Sequence, residues 1–232
     1  MAEPDYAAAR QRMLMTIAAQ TIYASAQLGK AALNRRVMDA MAKVPRHEFV
    51  PLDMRAFAYD DTPLPIGCGK TISQPFIVAV MTDLIDIAPT DKVLEIGTGL
   101  GYQTAVLAEL AQWVYSVELI EELAAGARQR FARQGRTHID IRVGNGRAGW
   151  PEHAPFDKVI VTAAPKSIPP ALIEQLKCGG KMVAPPARTK RSNSSLSTRT
   201  PTASSRRRTF CACTSRCWGT RSRAAETDVS RR

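Results

Sequence analysis

Histidine and cysteine are scarce in this chain, three and five among 232 residues. Cys68 and Cys178 stand far apart, and Cys211, Cys213 and Cys217 crowd the C-terminal part with no histidine or second ligand pair beside them. No metal site is expected from that spacing, and the odd cysteine count gives no disulfide framework. Nor is there a run of about 18 apolar residues, the minimum for a membrane-spanning helix. The opening MAEPDYAAAR sets two acids before its first base and lacks the apolar stretch of a secretory leader, so a cytoplasmic location is expected.

Acidic residues are missing from one region in particular. Beyond residue 187 there are twelve of the 32 bases and two of the 21 acids, Glu226 and Asp228, so nearly all of the +11 net charge lies there. The preceding 187 residues are almost neutral, which argues against a nucleic-acid-binding body. Large apolar residues are also few in this tail: Leu196, Phe210, Trp218 and Val229. Such a composition offers too little burial to offset the entropy of ordering, and residues 188–232 are expected to be disordered.

What the chain does have is a glycine turn at residues 93–104, VLEIGTGLGYQT. Val93, Leu94 and Ile96 suit a buried parallel strand, and Gly97, Gly99 and Gly101 follow at alternate positions. Tyr102, Val106 and Leu110 then recur at helical spacing. Glycine is needed where a chain turns sharply from strand to helix and passes close to a ligand, although an ordinary tight loop has the same composition. The second apolar run, WVYSV, ends in Glu118 about 20 residues after the first glycine, where a neighbouring strand would present a carboxylate to the hydroxyls of a ribose. A solvated acid at a strand end is the competing reading. Glu95, immediately before the first glycine, would repel a pyrophosphate and suit a ligand with a cationic portion; S-adenosylmethionine carries an ammonium and a sulfonium.

The stretch LEIGTGLGYQT resembles the first cofactor motif of class I methyltransferases. With TISQP at residues 71–75 and PFDKVIVTAAP at residues 155–165, the chain resembles the protein-L-isoaspartate O-methyltransferase family over about residues 7–186. The resemblance implies S-adenosyl-L-methionine as cofactor, held by Glu95, Gly97, Thr98, Gly99, Gly101, Gln103, Thr104, Glu118, Asn145 and Gly146. Asn145 stands where relatives usually carry aspartate, and its carbonyl could still accept from the adenine amino group; an Asn-Gly turn would explain it equally. The segment LPIGCGKTISQP is expected to lie over the cofactor and shape the acceptor pocket. There Ser73 is the catalytic candidate, its hydroxyl orienting a substrate carboxylate, while its place before QPFIVAVMTDLIDI also suits a helix N-cap. Cys68 is not read as a nucleophile, because methyl transfer to a carboxylate needs none.

Along the chain, a helix is expected from Tyr6 to about Ile22, and a second one capped by Asn34 and ended by Pro45. His47 reads as a local structural residue and the methionines as core filling. An irregular segment spans residues 51–74, and strands alternate with helices beyond it, including strands at residues 139–143, 157–162 and 181–184. Pro169 and Pro170 open a last helix that Gly179 and Gly180 stop. The pattern implies an α/β fold: a doubly wound, mainly parallel, Rossmann-like sheet with right-handed crossovers and its ligand at the carboxyl ends of the strands. Three parts are expected: an N-terminal helical segment (1–62), the cofactor-binding core (63–187) and the basic tail (188–232). The antiparallel hairpin that completes the sheet in relatives is expected to be missing, as a shifted reading frame near Pro186 or a natural basic tail would produce.

The implied activity is methylation of the free carboxylate of L-isoaspartyl, and D-aspartyl, residues in damaged proteins by a monomer with no membrane or nucleic-acid partner. Two other readings remain at this point: a cofactor-binding protein weakened or inactivated by its altered C-terminus, and a nucleic-acid-binding protein that uses the arginine tail.

Overall fold

The computed structural model describes residues 5–163 and 167–185, and the backbone of Cys211–Thr214. Helix α1 (Tyr6–Tyr23) starts at Asp5, whose carboxylate accepts from the amides of Ala7 and Ala8. A short α2 (Ser25–Leu28) and α3 (Arg35–Lys43) follow, and Asn34 caps α3 as expected, accepting from the Arg36 amide at 2.9 Å. A 3-10 turn at Arg46–Phe49 follows, and the segment read as irregular holds a second, Leu52–Phe57, and an antiparallel hairpin of β1 (Leu64–Gly67) and β2 (Lys70–Ile72).

Helix α4 (Pro75–Ile85) then leads into β3 (Lys92–Ile96), α5 (Tyr102–Ala108), β4 (Trp113–Glu118), α6 (Glu121–Arg133), β5 (Ile139–Val143) and β6 (Phe156–Val161). A five-residue α7 (Pro170–Glu174) precedes β7 (Leu176–Ala184). This strand is longer than expected: it runs through Gly179 and Gly180, with a register irregularity against β6. The sheet order is β5-β4-β3-β6-β7-β8, and every pair from β5 to β7 is parallel. The α/β, doubly wound reading holds.

Alternation along the strands divides the core. Val93, Val114, Ile160 and Val183 pack with the helices α1, α3, α4, α5 and α6 on one face. Leu94, Ile96, Val117, Val159, Val161 and Met182 form a smaller cluster with Leu172 of α7 on the other. The period of two puts alternate side chains on opposite faces, so a strand buried on both sides is apolar throughout.

Two expectations about the C-terminal part are corrected. The backbone of Cys211–Thr214 forms β8, antiparallel to β7 with Ala184 opposite Cys211 and Lys181 opposite Thr214. The tail therefore does cover the sheet edge, although a second strand of the hairpin is not among the described residues. An open edge presents a row of unpaired backbone donors and acceptors, and a short extended segment satisfies these without the apolar periodicity that the tail lacks. Cys178 is disulfide-bonded, against the expectation of no disulfide framework. The rest of residues 188–232 lies outside the described residues.

Ser73 is not the cap of α4. The N-cap position is Gln74, which makes no side-chain cap bond, and Asp61 serves the helix end from a distance. Its Oδ1 accepts from the Phe76 amide at 2.9 Å and its Oδ2 from Gln74 Nε2 at 2.7 Å and from Gln20 Nε2 on α1. One carboxylate thus ties α1, the acceptor segment and α4 together. Asp61→Ala is expected to lower stability by about 1–2 kcal/mol, the cost of a lost cap; an unchanged urea midpoint would place the helix-end stabilisation elsewhere.

Candidate active site

Strand order changes direction at β3: β4 and β5 lie on one side of it, β6 and β7 on the other. In open α/β sheets a crevice forms at such a point, outside the carboxyl ends of the strands. Here the crevice is lined by Thr71, Ile72 and Ser73 from the acceptor segment and by Gly97, Thr98, Gly99 and Leu100 from the glycine loop. Ile66 of β1, Val78 of α4, Tyr102 and Gln103 of α5, and Thr162 after β6 complete it. No charged side chain lines it among the described residues.

The glycines are demanded by geometry. Gly97 and Gly101 have φ near +100°, and a Cβ on Gly97 would stand 2.3 Å from Thr162 Oγ1. At Gly101 it would stand 2.6 Å from the Phe131 ring, and at Gly146 2.3 Å from Ile96 Cγ2. Real Cβ atoms do not approach other heavy atoms so closely, so the loop runs where only glycine fits.

Below the loop lies a buried chain of hydroxyls. Thr104 Oγ1 donates to Glu95 Oε2 at 2.5 Å and Ser116 Oγ donates to the same oxygen at 2.6 Å. Ser116 has then used its single proton, so Thr98 Oγ1 donates to Ser116 Oγ across their 2.6 Å contact. Glu95 is fully buried and its Oε1 has no partner. Burial pushes its carboxyl up to about 8, against the Ser116 and Thr104 bonds and with a further push from the charge of Glu118. Glu118 itself is held by backbone: Oε2 accepts from the Gly99 amide at 2.8 Å and Oε1 from Ile120 at 3.0 Å.

Of the residues expected from sequence, the cleft brings together Ser73, Gly97, Thr98, Gly99 and Gln103. Gln103 Nε2 donates to Thr82 Oγ1 at 2.9 Å, which orients its side chain. Glu95, Gly101 and Thr104 support the loop from behind, and Glu118 stands at the end of β4, bonded to the loop. Asn145 is exposed and its Oδ1 accepts from the Arg147 amide at 3.0 Å, the geometry of an Asn-Gly turn; Gly146 follows it, packed on Ile96. Tyr102, Ile66 and Thr162 were not singled out from sequence. Thr162 had a signal, because it closes an apolar strand run beside the expected crevice, and its Oγ1 lies 2.8 Å from the Gly97 carbonyl.

The sequence model described as protein-L-isoaspartate(D-aspartate) O-methyltransferase matches residues 20–209. The chain belongs to the protein-L-isoaspartate O-methyltransferase family. Protein-L-isoaspartate O-methyltransferase 1 of Polaromonas sp. is 70% identical over 185 residues, covering 80% of this chain and 78% of the relative. Protein-L-isoaspartate O-methyltransferase 2 of Syntrophobacter fumaroxidans is 54% identical over 184 residues, or 79% and 74% of the two chains. A solved protein-L-isoaspartate O-methyltransferase superposes with a TM-score of 0.64 at 28% identity, over 76% of this chain and 55% of the other. A Plasmodium falciparum structure, described as a protein-L-isoaspartate O-methyltransferase in complex with S-adenosyl-L-homocysteine, shares the fold at TM-score 0.64 and 20% identity, covering 81% and 87%.

S-adenosyl-L-methionine is the family's methyl donor, and the cleft fits it on three counts. The glycine loop leaves a cradle that a Cβ would fill. Glu118 ends β4 with lone pairs to spare for two hydroxyls. Glu95, buried behind the loop with one oxygen unpartnered, is a group that a cationic ligand in the cleft would draw toward its ionised form.

Glu95 also makes stability depend on pH. Unfolded, its carboxyl ionises near 4.5; folded, near 8, so between these limits only the folded state holds the proton. The contribution is complete below pH 4.5 and is lost as pH rises through about 8. Glu95→Gln is expected to flatten the fall in stability across this window, which is on the order of 1 kcal/mol per pH unit for one group. Urea midpoints with equal pH slopes in mutant and wild type would show that Glu95 ionises normally.

Proposed function

We propose that this protein transfers a methyl group from S-adenosyl-L-methionine to the free carboxylate of L-isoaspartyl, and D-aspartyl, residues in damaged cytoplasmic proteins, acting as a monomer. The observation that carries the reading is the uncharged, hydroxyl-bearing cleft in which Thr71–Ser73 faces the glycine loop. A free carboxyl with a pKa of about 4 or below is already ionised at neutral pH, so the acceptor needs no general base. A cleft lined, among the described residues, by no carboxylate, histidine or cysteine suits such a reaction.

The bound cofactor supplies a sulfonium methyl, which the acceptor oxygen takes while the carbon–sulfur bond breaks and S-adenosylhomocysteine leaves. The protein's contribution is positioning and exclusion of water. Ser73, half-buried in the cleft wall and not engaged as a cap, donates its hydroxyl proton to one carboxylate oxygen and so aligns the other. Glu118 accepts from the ribose hydroxyls with the lone pairs that the Gly99 and Ile120 amides leave over. Gly97, Thr98 and Gly99 would hold the cofactor by their backbone, Gln103 lines the cleft, and Glu95, Gly101 and Thr104 fix the loop. Asn145 and Gly146 would hold the adenine end. The methyl ester product collapses to a succinimide, which permits repair of the linkage.

Two experiments test this. Given labelled S-adenosylmethionine and two peptides that differ only in one linkage, the protein is expected to label the isoaspartyl peptide and not the aspartyl one; equal labelling would refute the acceptor assignment. Ser73→Ala is expected to lower kcat by on the order of tenfold or more, as for other groups that align a reacting atom, with S-adenosylhomocysteine affinity within about twofold of wild type. Undiminished turnover would remove Ser73 from the acceptor site. Loss of activity in the chain with its altered C-terminus, but with cofactor binding kept, would favour the inactive-variant reading.

A further inference from the structure

Arg46 is the largest side chain with essentially no exposure. Among the described residues it enters no ion pair; its guanidinium meets main chain and a ring. Nε donates to the Ala58 carbonyl and Nη2 to the Ser73 carbonyl, both at 2.7 Å, and the guanidinium carbon lies 4.7 Å from the centre of the Tyr102 ring. Nη1 has no partner.

A fully buried cation with an unsatisfied N–H is costly to the folded state, so packing alone does not account for it. What a guanidinium does, and an apolar side chain or an ammonium does not, is hold several groups at fixed angles from one rigid plane. The groups it holds here belong to opposite walls of the cleft. Ser73 is the acceptor-side residue. Tyr102 is the first residue of α5, directly after Gly101, and its ring therefore moves with the glycine loop.

We infer that Arg46 is a positioning residue of the methyl transfer: by holding the Ser73 carbonyl while lying against the Tyr102 ring, it sets the separation between the acceptor wall and the cofactor wall. The inference rests on the proposed function, since it assumes that the acceptor lies along Ser73. Transfer in line needs the reacting atoms about 3–3.5 Å apart, and a displacement of about 1 Å can cost two orders of magnitude in rate. Arg46 reaches neither substrate nor cofactor, so its effect falls on rate and not on affinity for the cofactor.

The test uses Arg46→Lys and Arg46→Gln in the full chain. Lysine keeps the charge and most of the stem but cannot span both carbonyls and the ring. Both variants are expected to lose on the order of 10- to 100-fold in kcat per folded molecule, with S-adenosylhomocysteine affinity within about twofold of wild type by calorimetry. Amide exchange of residues 70–76 is expected to quicken in both, with or without peptide present. A kcat within about twofold of wild type in Arg46→Lys would overturn the inference, as would parallel loss of kcat and cofactor affinity or failure of both variants to fold, since each leaves Arg46 a purely architectural role. Should the wild-type protein not methylate the isoaspartyl peptide, the functional reading fails, and unchanged exchange of residues 70–76 would still decide against Arg46.

Discussion

Strands β3 and β6 lie side by side, yet the chain must leave β3 in a sharp turn while the loop after β6 passes against it. The two backbones come so close that a single methyl group on Gly97 would overlap the Thr162 hydroxyl at 2.3 Å. That hydroxyl in turn lies 2.9 and 2.8 Å from the Ile96 and Gly97 carbonyls and holds the turn to the neighbouring strand. Everything that lines the cleft is placed relative to this contact. The positive φ of Gly97, Gly99 and Gly101 follows from it, because the chain can return from the strand end into α5 only through conformations that other residues avoid.

The loop is then held from behind by polar groups that water does not reach. The Thr98, Ser116, Glu95 and Thr104 relay joins the loop, β4, β3 and α5 through three short hydrogen bonds. Such a network is directional, so it fixes one loop conformation where apolar packing would tolerate several. Its cost is the buried carboxyl, which keeps its proton well above the normal range. A protonated Glu95 is neutral and cheap to bury; a cationic ligand in the cleft would draw it toward the ionised form, so ligand binding and the charge behind the loop are linked.

Much of the fold was legible because local signals and packing agree. Asn34 before an amphipathic run, the aliphatic run from Val93 to Ile96 and the three glycines after it each determine their own backbone. The face on which Glu95 lies was also available: with Leu94 and Ile96 on the smaller face, a period of two puts Glu95 with Val93, under α5 and behind the loop. The hairpin of β1 and β2 was not legible, since strands of four and three residues are too short for any period to show. Ser73 could not be settled by local reading either. The cap of α4 comes from Asp61, and a tertiary contact of that kind leaves no mark at the helix end it serves. The pairing of β8 was not legible for a related reason: composition reports what a segment can bury, whereas β8 pairs through backbone alone.

The 3-10 turn at Arg46–Phe49 shows how a segment far from the cleft in sequence can determine its shape. Phe49 is fully buried, with its ring 5.7 Å from that of Tyr102 and 6.3 Å from that of Phe131. Phe131 in turn packs so closely on Gly101 that no side chain fits there. Arg130, next to it on α6, donates to the Glu48 carbonyl at 2.6 Å and to the Leu100 carbonyl at 2.7 Å. The turn thus meets the cofactor side through Phe49 and Arg130 and the acceptor side through Arg46. Main-chain carbonyls of Ser73 and Leu100, one from each wall, are each fixed by a guanidinium. Because a packed interior transmits displacement instead of absorbing it, any shift of this turn moves both walls at once, and the spacing across the cleft is set by the turn more than by either wall alone.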